Sequence, residues 1–159
     1  MDWEIKKFKE LTIEELFKIY RERTKVFVVE QNCPYNEVDD EDLISIHIMG
    51  LENGELKAYC RIIPKGETVH IGRVLVEKES RGKGMGRILL NKAMDYIDSQ
   101  MNSLEAHIQA QEYLIEFYKS LDFIEIGTAY LDEGILHIDM VRRRDGKFKI
   151  SKTKRNIFE

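Results

Sequence analysis

Cysteine and proline are nearly missing from this chain, at two residues each in 159, and no uninterrupted apolar run reaches the roughly 20 residues that cross a bilayer. Each shortage excludes something. Cys33 and Cys60 fit no Cys-x-x-Cys spacing, which leaves a zinc site or a disulfide scaffold unsupported, and no metal site is expected. Pro34 and Pro64 mark no linker, and repeats and low-complexity tracts are absent. The opening "MDWEIKKFKE" lacks the apolar core of a signal peptide, so the expectation is a cytoplasmic protein without a membrane partner.

What is present reads as an ordinary globular domain: 43% hydrophobic and 34% charged residues. A chain of this size buries roughly 68–70% of its unfolded surface. The net charge of −4 conceals an asymmetry. Residues 142–159 hold eight basic and two acidic residues, a local balance of +6. A short charged end is commonly a solvated end or a packing arm, so nucleic acid is not the expected partner. The division expected is one domain over 1–142 and a basic extension over 143–159.

Periodicity predicts a first strand at Trp3–Phe8, then a helix in "TIEELFKIYRERTKVF" opened by a capping box of Thr12 and Glu15. "EQNCPYNEVDDED" breaks the period and reads as a loop. "ISIHIMGL" and "ELKAYCRII" form a hairpin about Asn53-Gly54, the strongest short signal for one. "VHIGRVLV" is a third strand in the middle of the chain. A helix follows with Met85, Ile88, Leu89, Ala93 and Ile97 on one face, and "LEAHIQA" alternates with Leu104, Ala106, Ile108 and Ala110 on one side. A short helix, "EYLIEFYKSL", precedes a closing hairpin about "DEG". Helices separate some strands while others pair through hairpins, which predicts an α/β fold with a mixed sheet flanked by helices.

Between strand and helix stands "SRGKGMGRILL", with Gly82, Gly84 and Gly86 at every second position. Glycine in a helical turn costs about 1 kcal/mol against alanine, so three of them call for a reason. A glycine turn entering a helix presents free N–H groups at the positive end of the helix dipole, an anion site that phosphates can approach closely. Arg81 and Lys83 add charge. A Walker loop fails because Arg87 and Ile88 follow Gly86, and the dinucleotide fingerprint fails because Arg87 stands where its last glycine belongs. The competing reading is that the glycines only let the helix pack on the sheet.

"RGKGMG" resembles the acyl-CoA pyrophosphate loop, Arg/Gln-x-x-Gly-x-Gly/Ala, of the GNAT N-acetyltransferase superfamily. The strand before it supports the resemblance: its alternation slips at Gly72-Arg73, as at a β-bulge. "AQEYLIEFYKSLDF" is similar to the second signature of that superfamily, with Asp122 in place of the usual glycine, a left-handed position that aspartate tolerates. "VFVVEQNCPYNEVDDED", "HIMG", "IGRV", "AQEYL" and "DEGILHIDM" narrow the likeness to the ElaA-type branch over residues 3 to 142, with Leu136 where that branch has proline.

The resemblance implies a mostly antiparallel central sheet whose middle strands splay apart, and acetyl-CoA as co-substrate with no metal. Residues 81–87 (Arg81, Gly82, Lys83, Gly84, Met85, Gly86 and Arg87) would take the pyrophosphate, while Val74, Val76 and Gln111 would hold the pantetheine arm and the acetyl carbonyl. Tyr118 would sit beside the sulfur and protonate the departing thiolate, and as a residue it also fits a core aromatic. The acceptor would be a small-molecule or peptide amine, the reaction a direct attack in a ternary complex, and a homodimer is admitted. A binding module that holds acyl-CoA without turnover is the alternative. Glu30 is taken as the base, with His47 and His70 as further candidates and His107 and His137 read as structural. The carboxylates of residues 30–42 suggest an acidic wall for a cationic amine, unless Arg21, Arg23 or Arg73 neutralise it.

Overall fold

The computed structural model describes residues 1–144 and sorts them into two units: Met1–Pro64 with Ile71–Asp95, and Lys65–His70 with the residues from Tyr96 onward. Most of the basic extension lies outside the described residues. The strands run in the order β1-β2-β3-β4-β5-β7-β6, with β4 (Thr68–Val76) contributing to both units, and the strand pairs reported below are all antiparallel.

In the first unit, β1 (Asp2–Lys7) pairs with β2 (Ile46–Glu52), and β2 with β3 (Glu55–Lys65). Asn53 and Gly54 stand at φ 52° and 80°, the pair of left-handed residues that a tight hairpin needs. Register shifts at Gly50/Leu51, where a β-carbon on Gly50 would come within 2.8 Å of the Trp3 ring. The helix α1 (Ile13–Arg23) begins as its capping box predicts: the Thr12 hydroxyl accepts the Glu15 N–H at 3.0 Å, and Glu15 accepts the Thr12 N–H at 2.9 Å. It then widens into a π-helical stretch, Thr24–Glu30, where the sequence predicted an unbroken α-helix. Ile19, Val26, Met49, Leu56, Tyr59 and Leu75 form the core here.

The helix α2 (Met85–Gln100) buries Leu89, Leu90, Ala93, Met94 and Ile97. This corrects the expected stripe, because Ile88 is 44% exposed. At about 100° per residue, a face centred on Leu90, Ala93 and Ile97 leaves Ile88 on the opposite side of the helix.

In the second unit, β5 (Glu105–Gln111) pairs with β7 (Ile135–Arg143) and β7 with β6 (Ile124–Asp132). Ala106, Ile108 and Ala110 are buried, in line with the alternation. A 3-10 turn, Glu112–Leu114, leads into α3 (Ile115–Lys119). The residue replacing glycine after α3 behaves as expected: Asp122 has φ 71°, the Phe123 N–H reaches the Tyr118 carbonyl at 3.1 Å, and the Asp122 N–H reaches that of Lys119 at 3.0 Å. These are the two bonds of a Schellman cap. Of the basic end, Arg142 pairs with Asp98 at 3.0 Å and Arg144 donates to the Asp98 and Met101 carbonyls, placing positive charge at the C-terminus of α2.

The loop before β2 is held by buried charge. Arg23 has no exposed surface, and its guanidinium donates to Glu37 at 2.9 Å and to Asp42 at 2.7 Å. Arg61 meets Asp39 at 2.7 Å and Asp42 at 2.8 Å, and Arg73 pairs with Glu37 and Asp39. His47 is fully buried, with Nδ1 2.7 Å from the Tyr59 hydroxyl and Nε2 2.9 Å from the Asp42 carbonyl. A carbonyl only accepts, so Nε2 carries the proton and Nδ1 accepts from Tyr59.

Two predictions follow from this packing. Gly50→Ala should cost about 1–3 kcal/mol by overpacking against Trp3, and Gly50→Ala with Trp3→Leu should lose less than the sum of the single losses in urea unfolding. The second concerns pH. Burial holds the His47 imidazole below its ordinary range, so the unfolded chain binds the proton more readily and stability falls as pH drops below about 6.5. Arg61 holds Asp39 low, and burial of Asp42 is outweighed by Arg23 and Arg61, so a second loss follows as pH falls through the aspartate range below about 3.9. Unfolding midpoints from pH 8 to 3 check this, and His47→Gln should flatten the upper limb alone.

Candidate active site

The glycine loop stands directly before α2. Gly82 and Gly84 have φ 80° and 77°, a conformation that strains any residue with a β-carbon. Among the described residues, and apart from the chain neighbours, no heavy atom lies within 4 Å of where such a carbon would stand at either position. The glycines are therefore set by backbone conformation, not by helix-on-sheet packing, and the space above them is open. Arg81, Lys83 and Arg87 are exposed around the loop, with Met85 and Gly86 half-buried in the first helical turn. The Ile88 N–H bonds to the Gly84 carbonyl at 3.2 Å, and the N–H groups of Met85 and Gly86 stand ahead of that bond at the helix N-terminus. Sixteen residues of α2 add their dipole there.

The strand slip has a physical form. Arg73 stands at φ 51°, rare for a side chain of its size, and interrupts the pleat between Ile71 and Leu75, both buried. Beyond it, Leu75 enters the core while Val74 and Val76 stay half-buried. The guanidinium of Arg73 lies over the Tyr35 ring, 5.5 Å from its centroid, and donates to the Glu37 carbonyl at 2.8 Å. Arg73 thus braces the acidic loop, as one of the arginines that the sequence offered to neutralise it.

Arg81 draws the end of β4 and the π-helical stretch together. Its Nε donates to the Val76 carbonyl at 2.8 Å, and its two terminal nitrogens donate to Glu30 at 2.6 and 3.1 Å. Beside this pair a cleft of about 160 Å³ is lined by Glu22, Lys25, Val26, Glu30, Glu77 and Lys78. The fork of Arg81 holds the Glu30 carboxyl below the usual carboxylate range. Such a group is a weak proton acceptor at neutral pH. Glu30, expected as the base, stands here as the ion-pair partner of Arg81.

For the carboxylates of residues 30–42, the neutralised alternative is the one found. Glu37, Asp39 and Asp42 are engaged by Arg23, Arg61 and Arg73, while Arg21 turns to Glu22 and Glu55. Arg61 was missed from sequence. The Asn53-Gly54 hairpin alone would set Cys60 opposite His47; the register shift at Gly50/Leu51 puts Arg61 there instead. Cys33 and Cys60 are both buried thiols outside any disulfide.

In the second unit, Gln111 ends β5 and stands at the turn into α3. Tyr118 is 4% exposed, with its ring edge-on to Phe117 at 5.2 Å and to Phe123 at 5.8 Å. The aromatic packing fixes the ring, and it satisfies the core role that the spacing also allowed. Among the described residues no helix is long and apolar enough to cross a membrane, and no group of three or more His, Cys, Asp or Glu side chains is arranged to hold a metal ion.

Comparison with known proteins agrees with this architecture. Residues 13–144 match the model of the acetyltransferase (GNAT) domain. A UPF0039 protein of Schizosaccharomyces pombe is 41% identical over 143 residues, covering 88% of this chain and 95% of the relative. The crystal structure of Escherichia coli ElaA superposes with a TM-score of 0.87 at 37% identity, over 90% of this chain and 100% of that one. An acyl-CoA N-acyltransferase from Pseudomonas aeruginosa gives a TM-score of 0.83 at 35% identity, over 89% and 99%. The alternating glycines, the interrupted strand and the Schellman-capped helix with its tyrosine are thus features of a chain that belongs to the GNAT acetyltransferase family, alongside ElaA and the UPF0039 proteins.

Proposed function

We propose that this protein is an N-acetyltransferase that moves an acetyl group from acetyl-CoA to the amine of a small molecule or peptide, by direct attack in a ternary complex. The observation that carries the reading is the pair of left-handed glycines at the N-terminus of α2. Open backbone there offers N–H donors and a positive dipole to a pyrophosphate, and Lys83 and Arg87 add charge around it, while Arg81 is paired with Glu30. Val76 and Gln111 are assigned to the pantetheine arm. The N–H of Val74, just past left-handed Arg73, is assigned to the oxyanion that develops on the acetyl carbonyl. Tyr118 is assigned to the departing sulfur: its O–H gives the thiolate a proton as the C–S bond breaks. Alignment of the two substrates supplies much of the rest. Release of free CoA in the presence of an amine distinguishes this reading from an acyl-CoA-binding module without turnover.

The positive φ at Gly84 decides how the loop is tested. Valine there would strain the backbone whether or not a ligand binds, so a loss would not report on the site. Asparagine tolerates the left-handed region. Gly84→Asn should keep the melting temperature while weakening acetyl-CoA binding by about tenfold or more, some 1.4 kcal/mol, in calorimetry. Undiminished binding would remove the loop from the site. Tyr118→Phe should lower kcat by about 10²-fold, the low end for general acid catalysis, and leave acetyl-CoA affinity unchanged. An unaltered kcat, with chemistry rate-limiting, would return Tyr118 to the core.

A further inference from the structure

An amine that attacks a thioester must lose a proton, and with Glu30 held by Arg81 the acceptor of that proton has to be sought elsewhere. The chain has four histidines. His47 is fully buried with both ring nitrogens engaged. His107 is tied through Nε2 to Glu105 at 2.9 Å, and His70 has its ring face stacked on His107 with ring centroids 5.1 Å apart. His137 differs from all three. Its Nδ1 lies 2.8 Å from the Ile135 carbonyl. A carbonyl only accepts, so Nδ1 carries the hydrogen and Nε2 holds the lone pair.

Nε2 of His137 makes no hydrogen bond to any described residue. It is also absent from the buried side-chain atoms that lack one, Nε of Arg61 and Nε of Arg73, so it meets solvent. The ring is held in place. Tyr130, its register partner on β6, stacks on it at 6.1 Å and 23°, and the Tyr130 hydroxyl is anchored on Asp139 at 2.6 Å. His137 and Asp139 alternate on one face of β7, which brings a carboxylate to the side where an imidazolium would form. Across β5 the register partner of His137 is Gln111, the residue from which the chain turns into α3 and Tyr118. β7 itself packs against that turn.

From this geometry we infer that His137 is the general base of the acetyl transfer, an assignment that rests on the N-acetyltransferase reading above. The neutral amine attacks the thioester carbon, forming a C–N bond. Nε2 of His137 takes the proton from the nitrogen, and the C–S bond breaks as sulfur takes one from Tyr118. Solvent returns a proton to the tyrosinate and accepts one from the imidazolium, so the net change is amine plus acetyl-CoA to amide plus CoA. Asp139 and Tyr130 are the titratable groups facing the ring, and they act as positioning residues.

The test compares wild type with His137→Gln and His137→Ala, using a panel of amines and free-CoA release, with folding checked by thermal unfolding. The expected result is a fall in kcat of about 10²-fold or more with acetyl-CoA affinity unchanged, loss of the basic-going rise in the wild-type pH–rate profile, and partial rescue of His137→Ala by added imidazole. Wild-type turnover that persists in His137→Gln, with its pH limb intact, overturns the assignment to His137 alone. Wild type that binds acetyl-CoA yet releases no CoA with any amine overturns the N-acetyltransferase reading and this inference with it. Nitrogen-15 NMR of the imidazole is independent of turnover: an Nε2–H tautomer at neutral pH would overturn the base even in an active enzyme.

Discussion

Arg23 sits at the end of α1 with no exposed surface, and a guanidinium cannot shed its charge in the way that a buried carboxylate or imidazole can. Burying such an ion costs several kcal/mol unless its hydrogen bonds are met in full. Glu37 and Asp42 meet them, and this draws the loop after the π-helical stretch back over β2 and β3. Those carboxylates in turn require Arg61 and Arg73, while Tyr59 and His47 complete the polar set. Removing one of its charged members would leave an uncompensated buried charge, typically about 3–5 kcal/mol. A loop that reads as a solvent-facing run of acid is therefore one of the more rigidly tied segments of the first unit.

The same network reaches the strand that carries the proposed oxyanion donor. Arg73 occupies a left-handed backbone position that costs a bulky residue about 1–2 kcal/mol. Its side chain is held by Glu37, Asp39 and the face of Tyr35, so the surroundings over-determine the conformation. Glycine at this position would ease the backbone and release the loop. The arginine couples the two: the interruption of β4 and the placement of residues 35–42 are held by one side chain.

Local chemistry was legible wherever a short stretch carries its own constraint. The Thr12–Glu15 box, the Asn53-Gly54 and Glu133-Gly134 turns and the left-handed Asp122 all depend on residues within a few positions of one another. The alternation of β5 was equally plain, since Ala106, Ile108 and Ala110 need only a period of two. The buried face of α2 was less so. Ile88 and Leu90 both fit a helical stripe, and only the packed surroundings select Leu90.

What the residues determined by themselves is the family-level plan: the order of strands and helices, the glycine turn that enters α2, and the tyrosine on α3 (Ile115–Lys119). Each is encoded in contiguous residues whose backbone preferences do not depend on distant partners. Tertiary structure decided which charges remain available. Sequence cannot show that Arg81 closes on Glu30, that three arginines occupy Glu37, Asp39 and Asp42, or that His137 turns Nδ1 to a carbonyl and leaves Nε2 to solvent. The proton affinity and reach of a titratable side chain come from neighbours that the fold, rather than the chain order, brings to within a few ångströms.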